Sequence, residues 1–298
     1  VLAEQLLSVN KLAFCIGVSR EVLQTVAKSK TSHYEPYVVT EKKRDGRLKE
    51  RRIDNPDKSI RKIQKKINKK ILIKACKELP VYTTGSIPER STYNNAGPHV
   101  GQESILLLDI SDCFPSIRSA NVYSVYKNLL GCSPPVANLL TKLTTYGDRL
   151  PQGAPTSPSL CNLVLAPLAK NLNDLAVRNG LRFTQYVDDL TFSGSYDSLR
   201  AVENEIIGLI EHAGFKVSRK KLKLIKHGDR MEVTGLVVNS KVSVGRRYLR
   251  KVQREIMGLK SDNPGINGKI SYVRSISKAH ARKLTRRRDQ VLKQGHSK

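Results

Sequence analysis

The stretch QYVDDLTFSG, residues 185–194, sets Asp188 and Asp189 side by side between two runs of β-forming residues. Adjacent like charges repel. A β-turn readily takes aspartate, and two of them would keep such a loop solvated. The other reading is that the repulsion exists to be relieved by a divalent cation, which prefers hard carboxylate oxygens. A third carboxylate, Asp109, closes the apolar run ILLLD. If the strand it ends pairs beside the hairpin, all three carboxylates converge on one point. Phosphoryl transfer by two metal ions about 3.5–4 Å apart needs that convergence: one ion acidifies an attacking hydroxyl, and the other stabilises the leaving oxygen. No His or Ser base is required, which suits a chain with six histidines and no nucleophile motif. A Walker A loop is absent, so P-loop chemistry is excluded.

Several elements must hold these residues in place. ESILLLDI is a short continuous apolar run, as expected of a buried strand ending at Asp109. RFTQYV and LTFSG predict a hairpin about Asp188 and Asp189. PQGAPTSPSLCNLVLAPLAKNL begins as a Pro/Gly loop and becomes a helix. Leu199, Val202, Ile206, Leu209 and Ile210 mark the core face of another helix, stopped by Gly214. Upstream, residues 1–30 have helical spacing broken near Gly17, with Ser19 as the N-cap of the second piece. YVVTEKKRDGRLKERRIDNP reads as two extended segments about a turn at Gly46, closing at Pro56. SIRKIQKKINKKILIKACKEL is amphipathic, with Ile60, Ile63, Ile67, Ile71 and Leu72 on one stripe among lysines. Downstream, RMEVTGLVVN and KVSV read as a β pair. RRYLRKVQREIMGL reads as a helix with Leu249, Val252, Ile256 and Leu259 inward and Arg246, Arg250 and Arg254 outward. Strands and helices intermix without regular βαβ alternation, so the fold class is α+β.

The formal net charge is +27, and it is unevenly placed. Residues 41–78 carry 16 Lys/Arg against 6 Asp/Glu, and residues 245–298 carry 16 against 3, whereas residues 79–244 stand at 17 against 14. Two basic arms flank a nearly neutral centre, a distribution that suits a nucleic-acid backbone gripped from two sides. An anionic membrane surface is the weaker partner, because neither arm pairs its basic face with exposed bulky aromatics. No apolar run approaches the ~18–20 residues of a membrane span, and the N-terminus lacks a secretory pattern. Cys15, Cys76, Cys113, Cys132 and Cys161 are dispersed singly with no zinc spacing, as expected of reduced thiols in a cytoplasmic protein.

LDISDCFPSI, PQGAPTSPSLCNL and YVDD resemble, in order and spacing, the three core motifs of reverse-transcriptase palms, and the resemblance runs from about residue 41 to 290. It implies a right-hand polymerase fold with an antiparallel palm sheet: fingers over residues 1–100, palm over 101–240 and a basic thumb over 241–298. It implies that Asp109, Asp188 and Asp189 are catalytic and, with the backbone carbonyl of Ile110, hold two Mg²⁺ ions, Mn²⁺ being a substitute. Phe114 falls where the family places an aromatic gate that reads the sugar 2′ position. Gln152 and Gly153 fall in the loop laid against the incoming dNTP. Lys221, with Lys220 as a rival, matches a lysine near the triphosphate. Arg51, in RRIDNP, resembles the fingers arginine of an R-x-I-x-x-P pattern, and Lys43 is a looser candidate on the same sheet. Cys113 replaces the first aromatic of the usual Phe-Phe pair, and Val187 stands where Ala is common. Neither departure removes a ligand; they bear on nucleotide selectivity and fidelity.

Two shorter stretches narrow the resemblance. NNAGPH, with Asn95, Ala96 and His99, resembles the NAxxH element of retron reverse transcriptases, and EVTGLVVN resembles their VTG element through Val233, Thr234 and Gly235. Taken alone they are a turn and a strand with a Gly bulge. The retron resemblance implies a structured non-coding partner RNA of msr–msd type and priming from a guanosine 2′-hydroxyl. It also implies a DNA copy that stays linked to the RNA (msDNA), and anti-phage defence with an effector protein. RNA binding would fall on Asn95, His99 and Thr234, and on Arg246, Arg247, Arg250 and Arg254 of the basic C-terminal arm. A-form RNA hides its base edges, so shape and phosphate contacts should dominate there. A group II intron or stand-alone reverse transcriptase is an alternative, against which the sequence leaves no room after the thumb for a maturase or endonuclease domain. A non-catalytic RNA-binding protein on a polymerase scaffold is another, against which all three carboxylates are present.

Overall fold

Serine caps set the first two helices. In the computed structural model, which describes residues 6–42, 48–259 and 261–295, α1 (Val9–Ile16) starts where Ser8 accepts a bond from Lys11 N–H, and it stops at Gly17 in the left-handed region. Ser19 caps α2 (Arg20–Lys28) in the same way. Strands β1 (Tyr34–Lys42) and β2 (Leu48–Pro56) then pair antiparallel from Tyr34↔Pro56 to Lys42↔Leu48. The turn at Gly46, and Lys43 with it, lies outside the described residues. Asp57 accepts from Ser59 and Ile60 N–H to cap α3 (Lys58–Ile67), whose apolar stripe Ile60, Ile63 and Ile67 is buried. A single π turn, Asn68–Leu72, leads into α4 (Ile73–Lys77). Its extra residue per turn lets Ile71 and Leu72 both return to the buried face.

A short α5 (Thr92–Ala96) precedes β3 (Ser104–Asp109), α6 (Cys113–Ser116), α7 (Ser119–Ser124), α8 (Pro134–Thr144) and the long α9 (Ser157–Arg178). Strands β4 (Arg182–Tyr186) and β5 (Asp189–Gly194), α10 (Tyr196–His212) and β6 (Lys223–Lys226) complete the central layer. The four strands form an antiparallel sheet in the order β4-β5-β3-β6. The unbroken apolar character of β3 follows from its position. Leu106 and Leu108 face one core cluster, which includes Leu163, Leu168 and Ile206 from α9 and α10. Ile105 and Leu107 face a second cluster built largely from the C-terminal region. A strand covered on both faces needs no polar alternation.

That second cluster gathers Met231, Val233 and Leu236 with Ala96 of α5 and residues of the last three helices. A small meander of β7 (Glu232–Val233), β8 (Leu236–Val237) and β9 (Ser243–Val244) leads into α11 (Arg246–Met257), α12 (Pro264–Ile276) and α13 (Lys278–Gly295). Val252 and Ile256 of α11 pack with Ile266, Ile270 and Val273 of α12 and Leu284 of α13. Among the described residues, no helix is long and apolar enough to cross a membrane.

Candidate active site

β3 and β5 are hydrogen-bonded neighbours, and their register sets Asp109 directly opposite Asp189. Asp188 belongs to the two-residue turn before β5, where Val187 takes a φ of 59°. Asp189 is thus the first residue of a strand, at its exposed end, and the residues that follow it to Gly194 are buried. The turn is held from several sides. Ile110 N–H donates to the Asp188 carbonyl at 3.1 Å, and Gln185 Nε2 donates to the Val187 carbonyl at 2.8 Å. Behind it, Gly85 lies so close that a Cβ there would meet Val187 N at 2.5 Å. Only glycine permits that approach.

The carboxylates pay for their closeness in charge. Burial pushes Asp189 up to about 6, with Asp188 and Asp109 adding repulsion. Asp188 is raised as well, first by burial and then by Asp109. Lys221, and not its neighbour Lys220, donates its ammonium to Asp109 Oδ1. Its loop is pinned by Ser218 N–H, which donates to the Asp109 carbonyl at 2.8 Å.

Above the carboxylates opens a cleft of about 530 Å³. Of the residues singled out in the sequence, Asp109, Ile110, Asp188, Asp189, Arg51, Phe114, Gln152 and Lys221 all line it. Phe114 is half-buried on α6, beside Cys113, whose Sγ lies 3.4 Å from that of Cys161 under the cleft floor. Gly153 sits at φ +123°, and a Cβ there would lie 3.0 Å from Ile53 Cγ2, so its backbone is the surface on which the hairpin rests. The cleft residues that escape sequence reasoning include Arg52, Asp54 and Arg149. The acid within RRIDNP was the available signal, since a lone carboxylate in a basic run asks for partners.

The donors fit a hard divalent cation, being carboxylate oxygens without competing thiol or imidazole in the cluster. Among the described residues, no three His, Cys, Asp or Glu side chains surround a single point in this conformation; Asp109 is engaged by Lys221 instead.

The expectation of direct RNA contacts from Asn95 and His99 requires correction. Both side chains are fully buried. His99 Nδ1 is 2.7 Å from Ser193 Oγ and Nε2 is 2.8 Å from Thr184 Oγ1. Burial pulls the imidazole down to about 3, so it is neutral. Asn95 Oδ1 accepts from Thr84 Oγ1 at 2.8 Å, and its Nδ2 donates to Thr234 Oγ1 at 3.4 Å. Asn95 and Thr234 therefore tie α5 to the meander, and His99 ties the turn after α5 to β4 and β5. Thr234 itself is half-buried at φ 46° and faces a smaller cavity shared with Asp189 and Lys223. Arg246, Arg247, Arg250 and Arg254 are exposed on α11, opposite buried Val252 and Ile256.

A family model described as reverse transcriptase (RNA-dependent DNA polymerase) matches residues 41–253. The chain is 32% identical to the Retron Mx65 reverse transcriptase of Myxococcus xanthus, over 93% of this chain and 70% of that one. It is 31% identical to the Retron Ec86 reverse transcriptase of Escherichia coli, over 90% of this chain and 84% of that one. Among solved structures, a telomerase from Candida albicans, in complex with a fragment of telomeric RNA, superposes with a TM-score of 0.52 at 9% identity. That match covers 92% of this chain and 61% of the telomerase chain, and it speaks to the fold alone.

Proposed function

This chain belongs to the reverse transcriptase family of RNA-directed DNA polymerases, and within it to the retron enzymes; from that premise we propose that it copies part of a structured msr–msd type RNA into DNA that stays linked to the RNA. The observation that carries the chemistry is the register that opposes Asp109 and Asp189, with Asp188 at the adjoining turn, beneath a cleft edged by arginines. Asp109, Asp188 and Asp189, with the Ile110 carbonyl, would hold two Mg²⁺ ions or Mn²⁺ in their place. When bound, these ions neutralise the triphosphate and acidify the attacking hydroxyl.

The protein's own groups do the rest. Arg51 and Lys221 bind phosphate oxygens of the dNTP, and Gln152 and Gly153 support its base and sugar. Phe114 fills the space that a 2′-hydroxyl would need. Fingers, palm and thumb occupy residues 1–100, 101–240 and 241–298, and Arg246, Arg247, Arg250 and Arg254 grip the RNA backbone. Action in anti-phage defence beside an effector protein is supported by the retron kinship alone.

Primer extension on an RNA template with Mg²⁺ tests the reaction. The wild type should make DNA, and Asn at position 109, 188 or 189 should each abolish synthesis while leaving RNA binding nearly intact. Near wild-type extension by Asp188→Asn would show the carboxylates to be misassigned. Sequencing the RNA that copurifies with the protein identifies the template.

A further inference from the structure

Asp54 is an acid set in the basic hairpin, and it is only 2% exposed. A carboxylate buried that far needs cations and donors around it. Its Oδ1 accepts from Arg52 Nε at 3.0 Å and from Arg149 Nη2 at 3.5 Å. Its Oδ2 accepts from Gln152 N–H at 3.4 Å, while its own N–H donates to the Gln152 carbonyl at 2.8 Å. One carboxylate thus joins β2 to the palm loop and holds two guanidinium groups at the cleft wall.

Anchoring the hairpin does not by itself call for this cluster. Its base is already fixed by Tyr34 stacked on Tyr146, with ring centroids 4.4 Å apart. The backbone bond from Asp54 to Gln152 would survive loss of the side chain. Nor does the pairing exhaust the arginines. The Arg52 side chain remains 55% exposed. Arg149, at 27%, has its Nε buried without a hydrogen-bond partner among the described residues. Arg149 is also preset: its N–H and carbonyl both bond to Tyr146, and the next residue, Leu150, donates to the Ile117 carbonyl at 2.9 Å. Arg51 and Arg52 ride on the hairpin, whereas Arg149 belongs to the palm. A planar fork fixed in position, beside the carboxylates and facing an open cleft, matches the oxygens of a phosphate chain.

We propose that Arg149 binds the triphosphate of the incoming nucleotide, and that Asp54 is the positioning residue that aims Arg149 and Arg52 at it. This rests on the cleft being the dNTP site. Steady-state primer extension by the full chain tests it, with dNTP varied and pyrophosphate added as a competitor. Arg149→Met should raise the dNTP KM by about tenfold to a hundredfold, the loss of one charge-assisted contact. Pyrophosphate inhibition should weaken by a similar factor, with RNA binding unchanged. Arg149→Lys, which keeps the charge without the fork, should fall between. Asp54→Asn should raise KM more than it lowers kcat, because the arginines remain but are no longer aimed.

An unchanged KM in Arg149→Met would overturn the assignment. So would a raised KM with unaltered pyrophosphate inhibition, since Arg149 would then shape the loop without touching phosphate. If the Met variant does not fold, Arg149→Lys carries the same two readouts. A wild type with no saturable dNTP incorporation would instead overturn the dNTP site itself, and this proposal with it.

Discussion

Lys221 and Asp109 are 112 residues apart in the chain, yet the lysine ammonium donates directly to the aspartate Oδ1. The pair gives one carboxylate of the cluster a close counter-charge. Asp188 and Asp189 feel Lys221 only as a weaker influence, and burial outweighs it in both. The cluster is therefore an electrostatic load on the protein whenever no cation shares it, and the load depends on pH.

The first prediction follows from the sign of that load. Asp189 is held up to about 6, above its value in an unfolded chain. The folded state then binds this proton more tightly than the unfolded state. The associated stability is fully present below about pH 4 and is lost as pH rises through about 6. In EDTA, Asp189→Asn should melt at a higher temperature than the wild type at about pH 8, and the gap should close as pH falls toward 4. Mg²⁺ should raise the wild-type Tm more at the higher pH and the variant's Tm less. A wild type as stable as the variant at the higher pH in EDTA would contradict the assigned repulsion.

Phe114 supports a second prediction. It stands on the four-residue helix α6, entered through Asp112 at φ 45°, and it is half-buried at the cleft edge. Cys113 beside it is buried with its Sγ 3.4 Å from that of Cys161, whereas the half-buried Phe114 lines the cleft. Trimming Phe114 to Ala or Val should admit ribonucleotides, because exclusion of a 2′-hydroxyl depends on filled volume. The ratio of kcat/KM for dNTP over the matching ribonucleotide measures it. A ratio equal to that of the wild type would remove Phe114 from this role.

How far the sequence discloses such features depends on their range. Asp109 and Asp189 were legible because each ends or begins an apolar β run, and pairing those runs brings the acids together without further information. Ser19 and Gly17 were legible because capping is local. Asp54 and Arg149 were not, because their relation crosses 95 residues and no local pattern encodes it. Asn95 and His99 misled for a related reason. The NAxxH resemblance implied RNA contact for them, whereas Thr84, Thr184 and Ser193 satisfy them inside the protein. The π turn at Asn68–Leu72 was also hidden, since Ile71 and Leu72 fit a plain helical stripe nearly as well.

The last prediction concerns α11. Val252 and Ile256 bury one side of the helix, which leaves Arg246, Arg250 and Arg254 exposed on the other. No ion pair between these three and an acid is found among the described residues, so their charge is free to meet phosphate. Changing all three to Ala should weaken binding of the partner RNA and flatten its salt dependence. On single-stranded or looped RNA each lost phosphate contact should reduce the log–log slope by about 0.7. Filter binding across a salt series measures this directly. Extension of a generic pre-annealed primer at saturating template should suffer much less, because Asp109, Asp188 and Asp189 are untouched. An unaltered slope would place the grip elsewhere, and α3 is then the next surface to test. Its Lys58, Lys62 and Lys65 are exposed opposite the buried isoleucines, so the same salt series on their Ala variants would separate the two faces.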